Sequence, residues 1–300
     1  MNQRVVEGWA WTPEQTRLFY VTRGEGIPIV ICNGIGVEWQ SYWPEISMSL
    51  ADSFQVVNWD YRGHGGSDSP IYPEQYDISE CARDLARVMD ALELPKAVLC
   101  AHSMGCQVIF EFYRLFPERV LGLIPVLGHF KSPLDTFMNF KFTPVLFKML
   151  AGLVFRKPLL AEKIWPLLYD PTMAQPLSRL TGMVHPTRCP PQVLEMYLKH
   201  MARMNPTLFF RLGTHMQEHS AEELLETIDV PTLIFAGEWD LFTPLAASKE
   251  MERRIPNAEL ELVREGSHAA IAEQPQLFWL RIAQFVGKHF KDVESITEAA

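Results

Sequence analysis

The stretch from Ala101 to Gly105, with the letters AHSMG, constrains the fold of this chain more than any other. It follows an apolar run over 97–100 and precedes a helical pattern over 104–116. A serine at the turn between a buried strand and a helix, with small residues two positions away on either side, is typical of a nucleophile elbow. Such a turn exposes the hydroxyl of Ser103 above the sheet edge, and the helix N-terminus behind it favours developing negative charge. A plain small-residue turn is the alternative that these five residues leave open.

Two residue types that a nucleophilic serine needs follow later in the chain. Residues 232–237 are predicted to form a buried strand, and Asp240 comes shortly after it. Residues 260–263 are predicted to form another strand, and His268 lies in the loop that follows. A serine hydroxyl needs an adjacent base such as histidine, and a buried carboxylate orients the imidazole. The pattern therefore predicts a catalytic triad of Ser103, His268 and Asp240.

Other residues compete for the acid and base positions. Glu238 lies on the same loop as the predicted acid, and Asp135 follows the strand after the elbow helix. His64 stands in a glycine-rich turn, which indicates a structural role. His102 neighbours Ser103, but adjacent side chains at a sharp turn point apart. We therefore favour the residues named above and keep these as alternatives.

A glycine-rich loop after another predicted strand indicates an oxyanion hole. The apolar run 27–32 is followed by Asn-Gly-Ile-Gly at 33–36, where glycines let the backbone turn its N–H groups toward a substrate. In acyl transfer two such donors stabilise the tetrahedral oxyanion, each by roughly 3–4 kcal/mol. The predicted donors are the amides of Met104 and Ile35. A dinucleotide-binding loop is excluded, because position 39 holds Trp39 instead of the third glycine.

A further turn follows the predicted strand 54–59. It spans 60–68, with the letters DYRGHGGSD, and carries the chain past the predicted site. We expect Asp60 and Arg62 to hydrogen-bond to the backbone there, which is a structural role.

The joint pattern resembles the α/β-hydrolase-fold serine hydrolases. Each matching segment follows a predicted strand, and the segments occur in the order 33–36, 60–65, 101–105, 237–240 and 266–268. The family often has glycine where Ala101 stands and histidine where Asn33 stands, but neither departure removes a catalytic group. A serine nucleophile argues against the related haloalkane dehalogenases and epoxide hydrolases, whose nucleophile is aspartate. The resemblance implies a hydrolase with the serine–acid–histidine order found here.

Strand and helix patterns alternate from residue 17 to about 126, which predicts an α/β fold with a mostly parallel sheet and helices on both faces. The alternation stops over 129–212, where the sequence is helical, rich in Met and Phe, and interrupted by ten prolines. We predict an α/β-hydrolase core over 1–128 and 213–300 with an inserted helical cap over 129–212. In the family that the chain resembles, this insertion covers the active site.

The predicted cap carries a dense apolar stretch over 137–155 with basic residues interleaved. Packing of the cap on the core is expected to account for most of these side chains. The other interpretations are an apolar lid over an acyl or aromatic pocket, and a basic amphipathic face that contacts a membrane or lipid surface. Trp39 and Trp239 flank the predicted oxyanion loop and acid, and both are predicted to bind substrate as walls of an apolar pocket; a purely structural role is the alternative for each.

Bulk properties exclude several classes of protein. The chain has 300 residues, is 48% hydrophobic and carries a net charge of −9 without a run of Lys or Arg, so nucleic-acid binding is excluded. The N-terminus lacks a signal-peptide pattern, and no apolar stretch reaches transmembrane length. Five cysteines are an odd number, which favours buried reduced thiols. We therefore expect a cytoplasmic enzyme without cofactor or metal; the sequence does not indicate an oligomeric state.

These features predict the class of substrate and reaction. No cluster of Lys or Arg near the motifs would bind a carboxylate or phosphate, so a small hydrophobic ester is the simplest substrate. We expect a carboxylesterase or lipase type of serine hydrolase that acts through an acyl-enzyme. Lactone opening, carbon–carbon bond hydrolysis, polyester depolymerisation and perhydrolysis are alternatives on the same triad. A non-catalytic small-molecule receptor is a remote alternative, which the complete set of triad residues disfavours.

Overall fold

The computed structural model describes residues 5–137 and 140–291. The described part of the chain contains one sheet of eight strands. The strands are β1 (Val5–Trp11), β2 (Arg17–Arg23), β3 (Pro28–Cys32), β4 (Gln55–Trp59), β5 (Ala97–His102), β6 (Val120–Val126), β7 (Thr232–Gly237) and β8 (Ala258–Val263). Strands β3, β5 and β7 are buried along their whole length, as expected for strands that are covered on both faces.

The strands are arranged in the order β1-β2-β4-β3-β5-β6-β7-β8. The first two pairings of this order, β1 with β2 and β2 with β4, are antiparallel, and all the others are parallel. The predicted mostly parallel sheet is thereby confirmed, while the antiparallel hairpin of β1 and β2 adds an edge that periodicity did not indicate. In the parallel part, the carboxyl ends of β3, β5, β7 and β8 meet at one edge.

The helices cover the sheet and fill the long connection between β6 and β7. They are α1 (Trp39–Tyr42), α2 (Pro44–Leu50), α3 (Ile78–Ala91), α4 (Met104–Leu115), α5 (Thr143–Arg156), α6 (Pro158–Leu168), α7 (Pro171–Leu180), α8 (Pro191–Arg203), α9 (Pro206–Glu218), α10 (Leu245–Arg254), α11 (Ala270–Glu273) and α12 (Pro275–His289). Helices α3 and α4 pack together, and so do α2 and α12. The two pairs contribute to separate hydrophobic clusters, which places helices on both faces of the sheet.

Helix α3 illustrates how the sequence specifies these elements. Asp77 caps it, because its carboxylate accepts a hydrogen bond from the amide of Glu80 at 2.8 Å. Apolar residues at three-to-four spacing, including Cys81, Leu85 and Val88, are buried against the sheet. The helix therefore occupies most of the segment 77–92 whose periodicity predicted it.

Helices α5 to α9 lie between β6 and β7, in the segment predicted to form the cap. Four of the prolines that interrupt this segment are the first residues of helices: Pro158, Pro171, Pro191 and Pro206. Proline suits that position because the amide of the first helical residue has no partner within the helix. Helices α5 and α6 pack against α9, and α6 and α7 pack against α8. The division into a core over 1–128 and 213–300 and a cap over 129–212 stays a prediction. Residues 1–4, 138–139 and 292–300 of these ranges lie outside the described residues.

Two further observations concern the helices and the cysteines. Within 5–137 and 140–291, no helix is long and apolar enough to cross a membrane. All five cysteines are buried and unpaired, as predicted. Burial raises the pKa of the Cys32 thiol to about 12, so it stays protonated and unreactive.

Candidate active site

Ser103 lies at a sharp turn between β5 and α4. Its backbone adopts φ 55° and ψ −119°, in a region that residues other than glycine rarely occupy. Gly105 makes the turn sterically feasible: a Cβ there would lie 2.7 Å from the carbonyl oxygen of Asn33 and 2.8 Å from that of Cys32. The small residue two positions after the serine thus lets α4 approach β3 closely. A strained non-glycine residue in this position indicates a functional constraint.

The side chains of Ser103, His268 and Asp240 form a hydrogen-bonded chain at the carboxyl edge of the sheet. His268 Nε2 lies 3.0 Å from Ser103 Oγ, and His268 Nδ1 lies 2.9 Å from Asp240 Oδ2. Asp240 follows β7 and His268 follows β8, so two strand ends bring the pair together beside the end of β5. The structure thus brings all three residues of the predicted triad together, with His268 between the other two. This spacing is within the reach that proton transfer between serine and histidine requires.

The environment of Asp240 keeps it ionised. Its Oδ1 accepts hydrogen bonds from the amides of Phe242 and Thr243, and its Oδ2 accepts one from the Thr243 hydroxyl. Burial acts to raise the pKa of Asp240, but His268 and the hydrogen bonds of Thr243 outweigh it and hold the pKa below its ordinary value. A negative charge beside Nδ1 favours the tautomer that keeps the proton on Nδ1 and leaves Nε2 free to accept the serine proton.

The two alternative acids lie elsewhere. Glu238 is exposed, and its carboxylate accepts a hydrogen bond from the amide of Glu265. Asp135 is also exposed and accepts one from the side-chain amide of Gln217. Among the described residues, the carboxylate that hydrogen-bonds to His268 is that of Asp240.

The loop that follows β3 lies directly against the serine. A Cβ at Gly34 would lie 3.0 Å from Ser103 Cβ and 3.5 Å from its Oγ, so a side chain there would crowd the serine. Within the described residues, no hydrogen bond has the amide of Ile35 or of Met104 as its donor. An oxyanion hole requires two amide N–H groups beside the nucleophile that have no other hydrogen-bond acceptor, and these two amides meet that condition.

His64 anchors this loop, which is the structural role that its turn indicated. Its Nδ1 donates to the carbonyl of Arg62 at 3.1 Å, and its Nε2 accepts from the amide of Gly36 at 3.0 Å. This pattern suits a neutral ring, and burial lowers the pKa of His64 to about 4. Asp60 adds a second anchor, because its carboxylate accepts from the amides of Trp39 and Gly66.

The prediction for Arg62 was wrong. Its guanidinium binds the carboxylates of Asp84 and Glu80 on α3 instead of the backbone of the turn. The guanidinium is itself largely buried, and only paired carboxylates compensate for the loss of its hydration.

Comparison with known proteins places this geometry in a family. Residues 27–162 match the model of the alpha/beta hydrolase fold. The chain is 30% identical over 277 residues to "Putative carbamate hydrolase RutD" of Azorhizobium caulinodans, an alignment that covers 90% of this chain and 95% of the relative. The chain belongs to the α/β-hydrolase family. The predicted resemblance is thus confirmed, and the match supports a hydrolytic activity.

Other relatives of this α/β hydrolase differ in what their names say they do. It is 27% identical over 244 residues to "Putative 2-succinyl-6-hydroxy-2,4-cyclohexadiene-1-carboxylate synthase" of Bacillus subtilis, over 81% of this chain and 85% of the relative. A thermophilic esterase from Thermogutta terrifontis has the same fold, with a TM-score of 0.76, 24% identity and coverage of 95% of this chain and 99% of the esterase. Membership of the family therefore does not define the substrate of this chain.

Two residues of the hydrolase site had no clear signal in the sequence. His102 is buried, and its Nε2 donates to the backbone carbonyl of His268 at 3.0 Å, which holds the histidine loop in place. The ring of Phe242 stacks on that of His268 at 4.6 Å and 15°. Phe137 contacts Phe242 edge-on at 4.6 Å. The position of Phe242, two residues after Asp240 on the same loop, is the one signal that could have indicated it.

The two tryptophans that were predicted to bind substrate occupy different surroundings. Trp39 is buried, and the guanidinium of Arg23 lies 5.0 Å from the centre of its ring. Trp239 is 46% exposed and stacks on His185 at 5.2 Å. A substrate contact for either tryptophan stays a prediction.

Among the described residues, no group of three or more His, Cys, Asp or Glu side chains is placed to hold a metal ion.

Four buried histidines predict that the fold is sensitive to acid. Burial lowers the pKa of His64 and His129 to about 4 and that of His102 and His200 to about 3. Histidine in an unfolded chain titrates near pH ~6.5, so the unfolded chain binds more protons below that value. The free energy of unfolding should therefore decrease as the pH is lowered below 6.5, by up to about 1.4 kcal/mol per histidine and pH unit. Burial raises the pKa of Asp60 to about 7, and this opposite effect offsets only one of the four histidines. Urea unfolding at about pH 7.5, 6.5 and 5.5 measures this; a midpoint that stays constant from 6.5 to 5.5 would contradict neutral burial.

Proposed function

We propose that this α/β hydrolase is a serine hydrolase that cleaves carboxylic esters with apolar acyl or aromatic groups. The observation that carries the proposal is the hydrogen-bonded chain from Ser103 Oγ through His268 to Asp240, with distances of 3.0 and 2.9 Å. This arrangement supplies a nucleophile, a base and an orienting carboxylate in one place.

The first half of the reaction forms an acyl-enzyme. His268 Nε2 takes the proton of Ser103 while Oγ attacks the ester carbonyl carbon. The carbonyl oxygen becomes negative and accepts hydrogen bonds from the amides of Ile35 and Met104. When the tetrahedral intermediate collapses, the bond to the alkoxide breaks and His268 gives that oxygen its proton. The alcohol leaves, and the acyl group stays on Ser103.

The second half releases the acid. His268 takes a proton from water, and the resulting hydroxide attacks the acyl carbonyl. The bond between acyl carbon and Oγ then breaks, and His268 returns the proton to Ser103. Asp240 remains ionised throughout, because its surroundings hold its pKa below the ordinary value. Its charge stabilises the imidazolium that forms in each half.

The aromatic residues beside the triad favour an apolar substrate. Phe242 lies flat on His268, and Phe137 packs against its edge. Apolar groups that displace water from such surfaces gain about 0.8 kcal/mol per buried CH₂.

Carbamate hydrolysis is the second candidate. The relative that is 30% identical over nine-tenths of this chain bears the name of a carbamate hydrolase. A carbamate presents the same carbonyl to Ser103, and the intermediate would be a carbamoyl-enzyme. The triad supports both reactions, so substrate preference has to decide between them.

Hydrolysis of p-nitrophenyl esters from acetyl to long-chain acyl tests the proposal, with a p-nitrophenyl carbamate in parallel. We expect kcat/KM to rise by about fourfold for each CH₂ that enters the apolar site, up to medium or long chains. Higher kcat/KM on the carbamate would favour the second candidate. No turnover on any ester, with Ser103 still labelled by a phosphonate probe, would overturn the ester assignment and direct attention to lactones and carbon–carbon bond substrates. No turnover and no labelling would indicate a receptor.

A further inference from the structure

The outer side of the helical segment exposes an unusual amount of apolar surface. The described residues include 28 large apolar side chains that are exposed, and 16 of them fall within residues 140–180. Eight apolar side chains between 140 and 155 are exposed, so the expectation that packing on the core accounts for most of this stretch was wrong. We call the exposed side chains of 140–180 the outer cap surface; its apolar members are Phe140, Phe142, Val145, Leu146, Met149, Leu150, Leu153, Phe155, Leu159, Leu160, Ile164, Leu167, Leu168, Met173, Leu177 and Leu180.

The apolar side chains form stripes that face away from the protein. On α7 they recur at Met173, Leu177 and Leu180, which are 72%, 58% and 86% exposed. This spacing of four and three residues places them on one face of the helix. Helices α5 and α6 pack on α9, and α6 and α7 pack on α8, so these exposed side chains are not used in the packing of the helices on one another. Three neighbouring helices in chain order thus present apolar faces to the surroundings, and such surfaces usually mark an interaction site.

The outer cap surface also has a charge of its own. Six basic residues and two acidic ones stand between 140 and 180, a net charge of +4 in a chain of net charge −9. Among the described residues, five exposed cations of this surface take part in no ion pair: Lys141, Lys148, Arg156, Lys157 and Lys163. Many surface arginines elsewhere are paired, such as Arg17 with Asp68 and Arg253 with Glu250. Unpaired cations among exposed apolar side chains fit an anionic and apolar partner.

We propose that the outer cap surface docks on an anionic lipid bilayer. Apolar side chains bordered by Lys and Arg are the composition that lets a helix lie in the headgroup region, with its apolar face in the acyl boundary and its cations at anionic headgroups. A second copy of the chain is a poorer occupant. A twofold interface would place the same surface on both sides, so each net charge of +4 would face its equal.

The segment that carries the outer cap surface is connected to the site by aromatic contacts. Phe140 begins the outer cap surface three residues after Phe137, which contacts Phe242, and Phe242 stacks on His268. An aromatic series therefore leads from the lipid-facing helices toward the site. The binding proposal stands on exposure and charge and does not depend on what the triad hydrolyses.

Vesicle co-sedimentation of the full chain tests the proposal without a turnover readout. The two probes are vesicles of phosphatidylcholine alone and vesicles with about 30% phosphatidylglycerol. We expect binding to the anionic vesicles, at least tenfold weaker binding to the neutral ones, and loss of binding at about 0.5 M salt. Equal binding to both vesicles, or no binding to either at low salt, would overturn the proposal. Self-association of the chain that buries the outer cap surface, without vesicle binding, would overturn it in favour of a second copy.

A matched pair of variants locates the binding surface. The cap variant combines Lys148→Glu and Leu153→Gln, both at exposed positions. The control combines Lys96→Glu and Leu280→Gln, which make the same chemical changes at exposed positions outside the cap segment. We expect the cap variant to bind anionic vesicles at least tenfold more weakly, since each lysine near such a surface contributes about fivefold. Equal losses in the two variants would contradict the placement of the surface.

Discussion

Replacement of Ser103 by alanine is expected to lower kcat of ester hydrolysis by about 10⁴- to 10⁶-fold. The hydroxyl is the atom that becomes covalently attached to the acyl group, and His268 Nε2, 3.0 Å away, has no other described side chain to deprotonate. What activity remains would come from the oxyanion amides and from substrate binding. Steady-state kinetics on the best ester of the series measures the change.

The same variant should fold normally. Alanine at φ 55° carries the same backbone strain as serine, because both have a Cβ and neither has a second branch there. Ser79→Ala on α3 is the matched control, since it removes a hydroxyl that contacts Arg83 and Glu111 outside the candidate site. We expect both variants to have equal urea midpoints, and we expect only Ser103→Ala to lose activity. Activity of Ser103→Ala within tenfold of the unchanged chain would contradict its role as nucleophile.

Replacement of Asp240 by asparagine is expected to lower kcat by about 10⁴-fold at neutral pH. The amides of Phe242 and Thr243 donate to one oxygen of the carboxylate, so the oxygen of asparagine would take that place. Its NH₂ group would then face His268 Nδ1. The imidazole would have to accept there and carry its proton on Nε2, where it could not take the proton of Ser103.

Two acids that compete for this role serve as controls. Glu238→Gln changes an exposed carboxylate on the same loop, and Asp135→Asn changes one that binds Gln217. Neither should alter kcat by more than about twofold, because surface substitutions away from the reacting groups have small effects. A loss in Asp135→Asn as large as that in Asp240→Asn would mean that the acid had been misassigned.

The site residues could be predicted because each has a local signal. Ser103, Asp240 and His268 each stand just after a predicted strand, and parallel strands bring their carboxyl ends to one edge. Gly34 and Gly105 could likewise be found, since a glycine beside a strand end indicates a close approach of backbones. The mostly parallel sheet could also be predicted, because the alternation of strands and helices is a local signal in the sequence.

Contacts across space had no such signal. The bond from His102 to the carbonyl of His268 joins residues 166 positions apart, and the stacking of Phe242 depends on the loop conformation after β7. The pairing of Arg62 with Asp84 depends on where α3 passes the turn. Periodicity shows that a helix has an apolar face but not whether another element covers it, which is why the exposure of α5 to α7 was missed.

The most direct test of the proposed chemistry is covalent labelling of the chain with a fluorophosphonate, read by mass spectrometry of its peptides. A phosphonate reacts with a serine only where a base activates it and amides hold the developing oxyanion. We predict one adduct, on the peptide that contains Ser103, with a rate at least 10³-fold lower in Asp240→Asn. Absence of an adduct from the folded chain, or an adduct on a different residue, would contradict the account.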